Sequence, residues 1–385
     1  MRNVGLLALC LIGLTASESP AQVGPLKIFG PDAVTKLNRK LAGRVEDYTH
    51  NHGGDRRIDS AALERKRDLY AYTPPGYDGV TPFPFMLFLH GLAQDEKVFL
   101  EVVEHFDAAI RKGEMPPMVI VCPDGSVGNG PSLLHTGSFY INSKAGRFGD
   151  YVAEDVWEFA HSHFKLRPER DAHVICGASM GGFGAFNVGI KQRERYGNVV
   201  GIMPPLNLRY GDLEGRYFTE YDPANFALRP VGKRNEIVGE FYGLLFIRSR
   251  RLLDPLVGRN SEEPTKFVSR ENPYEMLSSY RVKPGEFNLF VGYGRRDEFN
   301  IDAAVESFLD EAKRREVNVD TLVLPEGRHN MATAVAMLPS VSQWLTKHVG
   351  PYTPEGYAVE SPPAVTATRR KHLLPLLRPE SPARP

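Results

Sequence analysis

Apolar residues follow two rhythms along this chain, and the rhythms alternate. Residues 85–89, 118–122, 174–176 and 199–203 are apolar at nearly every position, the pattern of short strands buried on both faces. Between them lie stretches with the helical period. Residues 98–112 form one such stretch. Residues 151–164 carry Val152, Val156, Phe159 and Ala160 on one stripe, and residues 180–191 continue in helix-compatible residues. The rhythm stops near residue 204 and resumes with a strand at 286–292, a helix at 301–315, a strand at 319–324 and a closing helix at about 332–349. Strands alternating with helices predict βαβ units, and so an α/β fold with a mainly parallel sheet and helices on both faces. Ahead of this core, residues 45–52 and 66–72 are strand-like and flank Gly53-Gly54-Asp55, which predicts an edge hairpin; a short helix is expected at about 34–41.

Three stretches depart from the rhythm. Residues 126–149 are a long loop rich in Gly and Ser, and loops of that length often carry function. Residues 205–280 interrupt the alternation and read as an inserted cap over the strand ends, the alternative being a peripheral insertion. Arg248, Arg250 and Arg251 within them could meet an anion or form a solvated helix face. Residues 351–385 are Pro-rich, with a basic patch at Arg369-Arg370-Lys371-His372, and read as a disordered tail.

The N-terminus reads as a secretory signal peptide over residues 1–21. Arg2 precedes an apolar run at 4–14 that is too short to span a bilayer, and small residues follow it. An uncleaved anchor is the alternative. A lipoprotein signal at Cys10 fits less well because Leu9 is large. The expected organisation is therefore signal peptide, N-terminal extension at 22–42, catalytic domain at 43–350 and tail. The expected location is secreted or periplasmic, with no stable membrane insertion after cleavage. The 47 basic and 47 acidic residues cancel, which removes the global field that would draw the chain to nucleic acid. Beyond the leader the cysteines are Cys122 and Cys176. Each ends a different central strand with another strand between, so no disulfide is expected, and two cysteines make no thiolate metal site. His50 and His52 alternate on a strand-like stretch, and a solvated face suits them better than a metal.

The chemistry gathers at Gly177-Ala178-Ser179-Met180-Gly181, a G-x-S-x-G pattern set between a strand and a helix. A serine on so tight a turn takes strained backbone angles, and its neighbours two residues away come too close for a Cβ. Serine needs a base, and the base needs an orienter. His329 follows the last strand. Asp297 follows the strand before it and is preferred to Glu298 and Asp302, its neighbours on the same stretch. The order Ser, Asp, His is that of α/β-hydrolases. An oxyanion hole needs two N–H donors: Met180 at the helix start, and Leu92 after His90-Gly91, with His90 supporting that loop.

Leu89-His90-Gly91-Leu92, the segment 177–185, Asp297 and His329 together resemble the esterase branch of the α/β-hydrolases. That branch includes esterase D and S-formylglutathione hydrolase, feruloyl and acetylxylan esterases, and the mycolyltransferases. Residues 67–77 resemble its entry strand, and residues 149–152 and 164–168 the approach to the serine turn. The resemblance covers about 66–204 and 285–348 and implies the α/β-hydrolase fold. It implies a serine esterase, exported if the leader is cleaved, with Ser179 as nucleophile, His329 as base, Asp297 as orienter and the Leu92 and Met180 N–H groups as oxyanion hole. No metal or organic cofactor is expected. The expected substrate is a small-molecule or carbohydrate ester, acyl or feruloyl, with no nucleic-acid partner. An acyltransferase, a peptidase and a non-catalytic binding protein of the same fold are the alternatives. The oligomeric state stays open.

Overall fold

The computed structural model describes residues 32–128, 137–231, 235–241, 245–258 and 263–358. The expected signal peptide, the extension up to residue 31 and the tail from residue 359 lie outside them. Eight strands form the central sheet: β1 (Arg44–Tyr48), β2 (Leu69–Thr73), β3 (Phe85–Leu89), β4 (Val119–Pro123), β5 (His173–Ala178), β6 (Asn198–Ile202), β7 (Asn288–Gly294) and β8 (Asp320–Leu324). Their order is β1-β2-β4-β3-β5-β6-β7-β8. The pairs β1–β2 and β2–β4 are antiparallel, and every later pair is parallel. All residues of β2, β3, β4 and β6 are buried, and β3 and β4, apolar at every position, read for that reason as unbroken apolar runs.

Alternate side chains of each strand serve two cores. On one face Leu87, Val121, Ile175 and Val199 pack with Val156, Phe183, Phe186 and Phe308. On the other, Met86, Ile120, Cys176 and Val200 pack with Phe99, Val103, Phe106, Val341 and Leu345. The helices that supply these residues are α1 (Ala33–Asn38), α2 (Phe99–Arg111), α3 (Val156–His163), α4 (Met180–Lys191), α5 (Ser249–Val257), α6 (Pro264–Glu271), α7 (Pro273–Ser279), α8 (Ile301–Arg314) and α9 (Met331–His348). Asn330 caps α9 by accepting the Thr333 N–H at 2.9 Å. Cys122 and Cys176 are buried free thiols on β4 and β5, with β3 between them.

Several expectations need correction. The helix expected at 151–164 begins with a π-helical turn at Tyr151–Asp155, where Arg195 donates to the Ala153 carbonyl. β1 and β2 do pair, but the segment between them folds into its own ribbon, Ile58–Ser60 with Arg65–Arg67. His50 and His52 fall in a bend beyond β1, so they do not share a strand face. His50 is exposed, and His52 Nε2 lies 2.7 Å from the Tyr70 hydroxyl. Among the described residues no group of three or more His, Cys, Asp or Glu could hold a metal ion, and no helix is long and apolar enough to cross a membrane. The tail does not depart from the body at 351. Gly350–Tyr352 forms a 3-10 turn, and the Tyr357 ring meets Phe83 edge-on at 5.8 Å. Two aromatic rings give this stretch enough apolar surface to dock.

The insert at 205–280 is built from two small ribbons, Tyr210–Asp212 with Phe226–Leu228 and Ile237–Phe241 with Leu245–Arg248, followed by α5, α6 and α7. It is tied to the loop after β7. The Tyr217 hydroxyl donates to the Phe299 carbonyl at 2.5 Å, Asn300 Nδ2 donates to the Tyr217 carbonyl at 2.7 Å, and the Glu240 N–H donates to the Glu298 carbonyl at 2.9 Å. Arg248 donates to the Asn235 carbonyl at 2.6 Å, while Arg250 and Arg251 occupy exposed positions of α5.

Candidate active site

Ser179 stands between the end of β5 and the first residue of α4, at φ 54° and ψ −119°. A non-glycine residue held there costs about 1–3 kcal/mol, so the surroundings must enforce it. They do so by contact and by hydrogen bonding. The Ser179 N–H donates to the Ile202 carbonyl at 2.8 Å. A Cβ on Gly181 would sit 1.9 Å from the Leu89 carbonyl oxygen, and one on Gly177 would sit 2.3 Å from the Gly181 backbone. These contacts are the steric reason for glycine two residues either side of the serine.

Three residues far apart in sequence meet at this turn. Ser179 Oγ lies 2.8 Å from His329 Nε2, and His329 Nδ1 lies 2.8 Å from Asp297 Oδ2. The Asp297 side chain is fully buried and that of His329 is 12% exposed. The two carboxylates after β7 divide their work. Asp297 takes the imidazole ring and, through Oδ1, the Phe299 N–H at 2.9 Å. Glu298 instead accepts the His329 backbone N–H at 2.7 Å and pairs with Arg328 at 3.0 Å. Asp302 lies in the first turn of α8; burial, with help from Asp297, pushes its carboxyl up to about 6. Burial by itself would push the His329 imidazolium down, but the adjacent Asp297 carboxylate outweighs it with Glu298, and the net direction is up. The Phe299 ring meets the imidazole edge-on at 4.8 Å.

Leu92 and Met180 line the same cavity as Ser179. Among the described residues the backbone N–H groups of Leu92 and Met180 donate to no protein acceptor. The loop carrying Leu92 is held from several sides. The Gly91 N–H donates to Gln94 Oε1 at 2.8 Å, and the Tyr140 hydroxyl donates to the His90 carbonyl at 3.0 Å. The Gly125 N–H donates to His90 Nε2 at 2.8 Å, so the ring proton sits on Nδ1, which donates to the Gly91 carbonyl at 2.9 Å. Behind it, the buried pair Arg67–Asp124 closes at 2.7 Å. His90 is thus a support of the loop. Gln94 was not singled out in the sequence; its position three residues beyond a turn glycine is the signal that could have found it.

The cavity beside Ser179 has a volume of about 110 Å³. Its walls come largely from the insert, among them Leu208, Leu253, Leu256 and Phe267, with the ion pair Arg229–Glu236. The Arg229 guanidinium lies over the Tyr217 ring, 4.7 Å from its centre. No local pattern marks Tyr217, Arg229 or Glu236 in the sequence. A separate open cleft is lined by Lys191, Tyr274 and Tyr280 and shares Glu271 with this cavity, but Ser179 does not line it. A hydroxyl, imidazole and carboxylate in line, beside two unspent N–H donors, can attack a carbonyl, carry the proton and hold the resulting oxyanion.

In sequence and in fold the chain is similar to known esterases. An acetyl esterase of Caldicellulosiruptor saccharolyticus is 29% identical over 105 residues, 26% of this chain and 40% of that protein. S-formylglutathione hydrolase of Mus musculus is 30% identical over 184 residues, 44% of this chain and 60% of the mouse protein. The chain thus spans between two fifths and three fifths of the curated relatives it matches. A solved ferulic acid esterase superposes with a TM-score of 0.56 at 18% identity, covering 80% of this chain and all of that one, which places the fold among the α/β-hydrolases. The match to the family described as "Putative esterase" runs over residues 60–316, taking in Ser179 and Asp297 and ending before His329, and over that span the chain belongs to this esterase family.

Proposed function

We propose that this protein is an exported serine esterase acting on carboxylic esters, with acyl esters of carbohydrates as its substrate class. Ser179 Oγ attacks the ester carbonyl while His329 Nε2 takes its proton. The Leu92 and Met180 N–H groups hold the oxyanion, each worth about 3–4 kcal/mol in the transition state. Collapse expels the alcohol, which receives the proton from His329, and leaves an acyl-Ser179. Water, deprotonated by His329, then releases the acid and restores Ser179. Asp297 keeps the ring proton on Nδ1 and stabilises the imidazolium formed in each step.

The observation that carries this reading is the unbroken line Ser179–His329–Asp297, with both hydrogen bonds at 2.8 Å. Export is supported by the apolar leader at residues 4–14, and exposure to polysaccharide outside the cell supports the carbohydrate class. The test is Ser179→Ala. Hydrolysis of p-nitrophenyl butanoate should fall by about 10⁶-fold, and a fluorophosphonate probe should label the wild type but not the variant. Full turnover by the variant would sink the mechanism.

A further inference from the structure

The cavity beside Ser179 also carries information about what it accepts. It is small, about 110 Å³, and its walls are mostly apolar: Ile141, Leu208, Leu253, Leu256, Phe267 and Val268 all face it. The charged and phenolic side chains that reach it already have partners. The Tyr217 hydroxyl donates to the Phe299 carbonyl, Arg229 pairs with Glu236, and Glu271 pairs with Lys191 and accepts from Asn187. Among the described lining residues, the Ser249 hydroxyl is the remaining polar side chain apart from Ser179 itself.

We propose that this cavity is the acyl subsite, and that it selects a compact aliphatic acyl group of about four to six carbons over both acetyl and hydroxycinnamoyl groups. The inference rests on Ser179 being the nucleophile. Two physical arguments set the range. An apolar cavity of about 150 Å³ lined by Leu, Ile and Phe holds a benzene. Scaled by volume, the present one has room for about four carbons beyond the carbonyl. Acetyl fills one of those places and leaves the rest of the apolar wall uncovered. A hydroxycinnamoyl ring is too large, and its phenol and methoxy oxygens would leave water for a wall offering one hydroxyl. Each methylene buried against this wall is worth about fourfold in kcat/KM.

The experiment measures kcat/KM for p-nitrophenyl acetate, butanoate, hexanoate, octanoate and decanoate and for methyl ferulate. Butanoate should exceed acetate by about 15-fold, with a decline beyond hexanoate and methyl ferulate well below butanoate. Leu253→Trp fills the cavity and should bring the butanoate-to-acetate ratio to about one or below. Phe267→Ala enlarges it and should raise octanoate relative to butanoate, which keeps the test open if the tryptophan variant does not fold. Acetate or ferulate equal to butanoate, or ratios unmoved in both variants, would overturn the acyl subsite while fluorophosphonate labelling of Ser179 left the nucleophile standing. No labelling and no hydrolysis of any ester would overturn both.

Discussion

Replacing Asp297 by Asn tests the core of the mechanism with almost no change in shape. Asp297 uses its two oxygens differently: Oδ1 accepts the Phe299 N–H at 2.9 Å, and Oδ2 faces His329 Nδ1 at 2.8 Å. A backbone N–H can only donate, so the asparagine carbonyl must stay on Phe299. The amide NH₂ then faces His329 Nδ1 and forces that nitrogen to be an acceptor. The ring proton moves to Nε2, the atom that must take the proton of Ser179, 2.8 Å away. In serine proteases this tautomer error costs about 10⁴ in kcat. That is about 5.4 kcal/mol at 1.36 kcal/mol per decade, and the same loss is expected here. Glu298 cannot substitute, because it is engaged by the His329 backbone and by Arg328. The pH profile provides a second readout. Asp297 raises the His329 imidazolium, so the wild-type acid limb of kcat/KM should lie above the ordinary imidazole value of about 6.5, and any residual activity of D297N should have that limb moved down. The assays are steady-state hydrolysis of p-nitrophenyl butanoate from pH 5 to 9 and ¹⁵N NMR of the His329 tautomer. Activity within tenfold of wild type, or an Nδ1-protonated ring in D297N, would refute the reasoning.

Two further predictions concern the frame around the site. In Gly181→Ala the new methyl would meet the carbonyl oxygens of Leu89 at 1.9 Å and His90 at 2.8 Å, both backbone at the end of β3, so Tm should fall by several degrees and activity should be lost. Gly350→Ala, whose Cβ meets nothing nearer than 3.9 Å, is the control, and equal Tm values for the two would contradict the account. Glu96 is pushed up to about 8 by burial first and by Asp124 and Asp95 next. Its folded value therefore lies above its unfolded one, and between about pH 4.5 and 8 the folded state holds a proton that the unfolded chain has released, so stability falls as pH rises through that window. Glu96→Gln keeps an acceptor for Asn51 Nδ2, which lies 2.6 Å from Oε1, and cannot ionise. Its urea midpoint should match wild type near pH 5 and exceed it at pH 8.5, and parallel curves would rule the effect out.

Local pattern alone marked the buried strands of the central sheet. β3 and β4 are buried on both faces, so their sequences had to be apolar throughout, and the strand-to-helix turn had to carry glycine at 181, where a Cβ would strike the end of β3, and at 177, where it would strike the Gly181 backbone. The order Ser179, Asp297, His329 was legible because each follows a strand, and parallel strands deliver their following loops to one edge. Other features were decided only in three dimensions. Asp297 was already preferred to Glu298 in the sequence, but the ground for it appears only in the fold, where one carboxylate meets the ring and the other a backbone N–H. The π turn at Tyr151–Asp155 is met by Arg195, more than forty residues away, and the docking of Tyr357 on Phe83 spans most of the chain. The cavity beside Ser179 is the clearest case: its walls join Ile141 from one loop with Leu208, Leu253 and Phe267 from an insert that interrupts the strand–helix alternation. A period records only which face of an element is buried, whereas a cavity is the space left where several elements fail to meet, and that space exists only once they have packed.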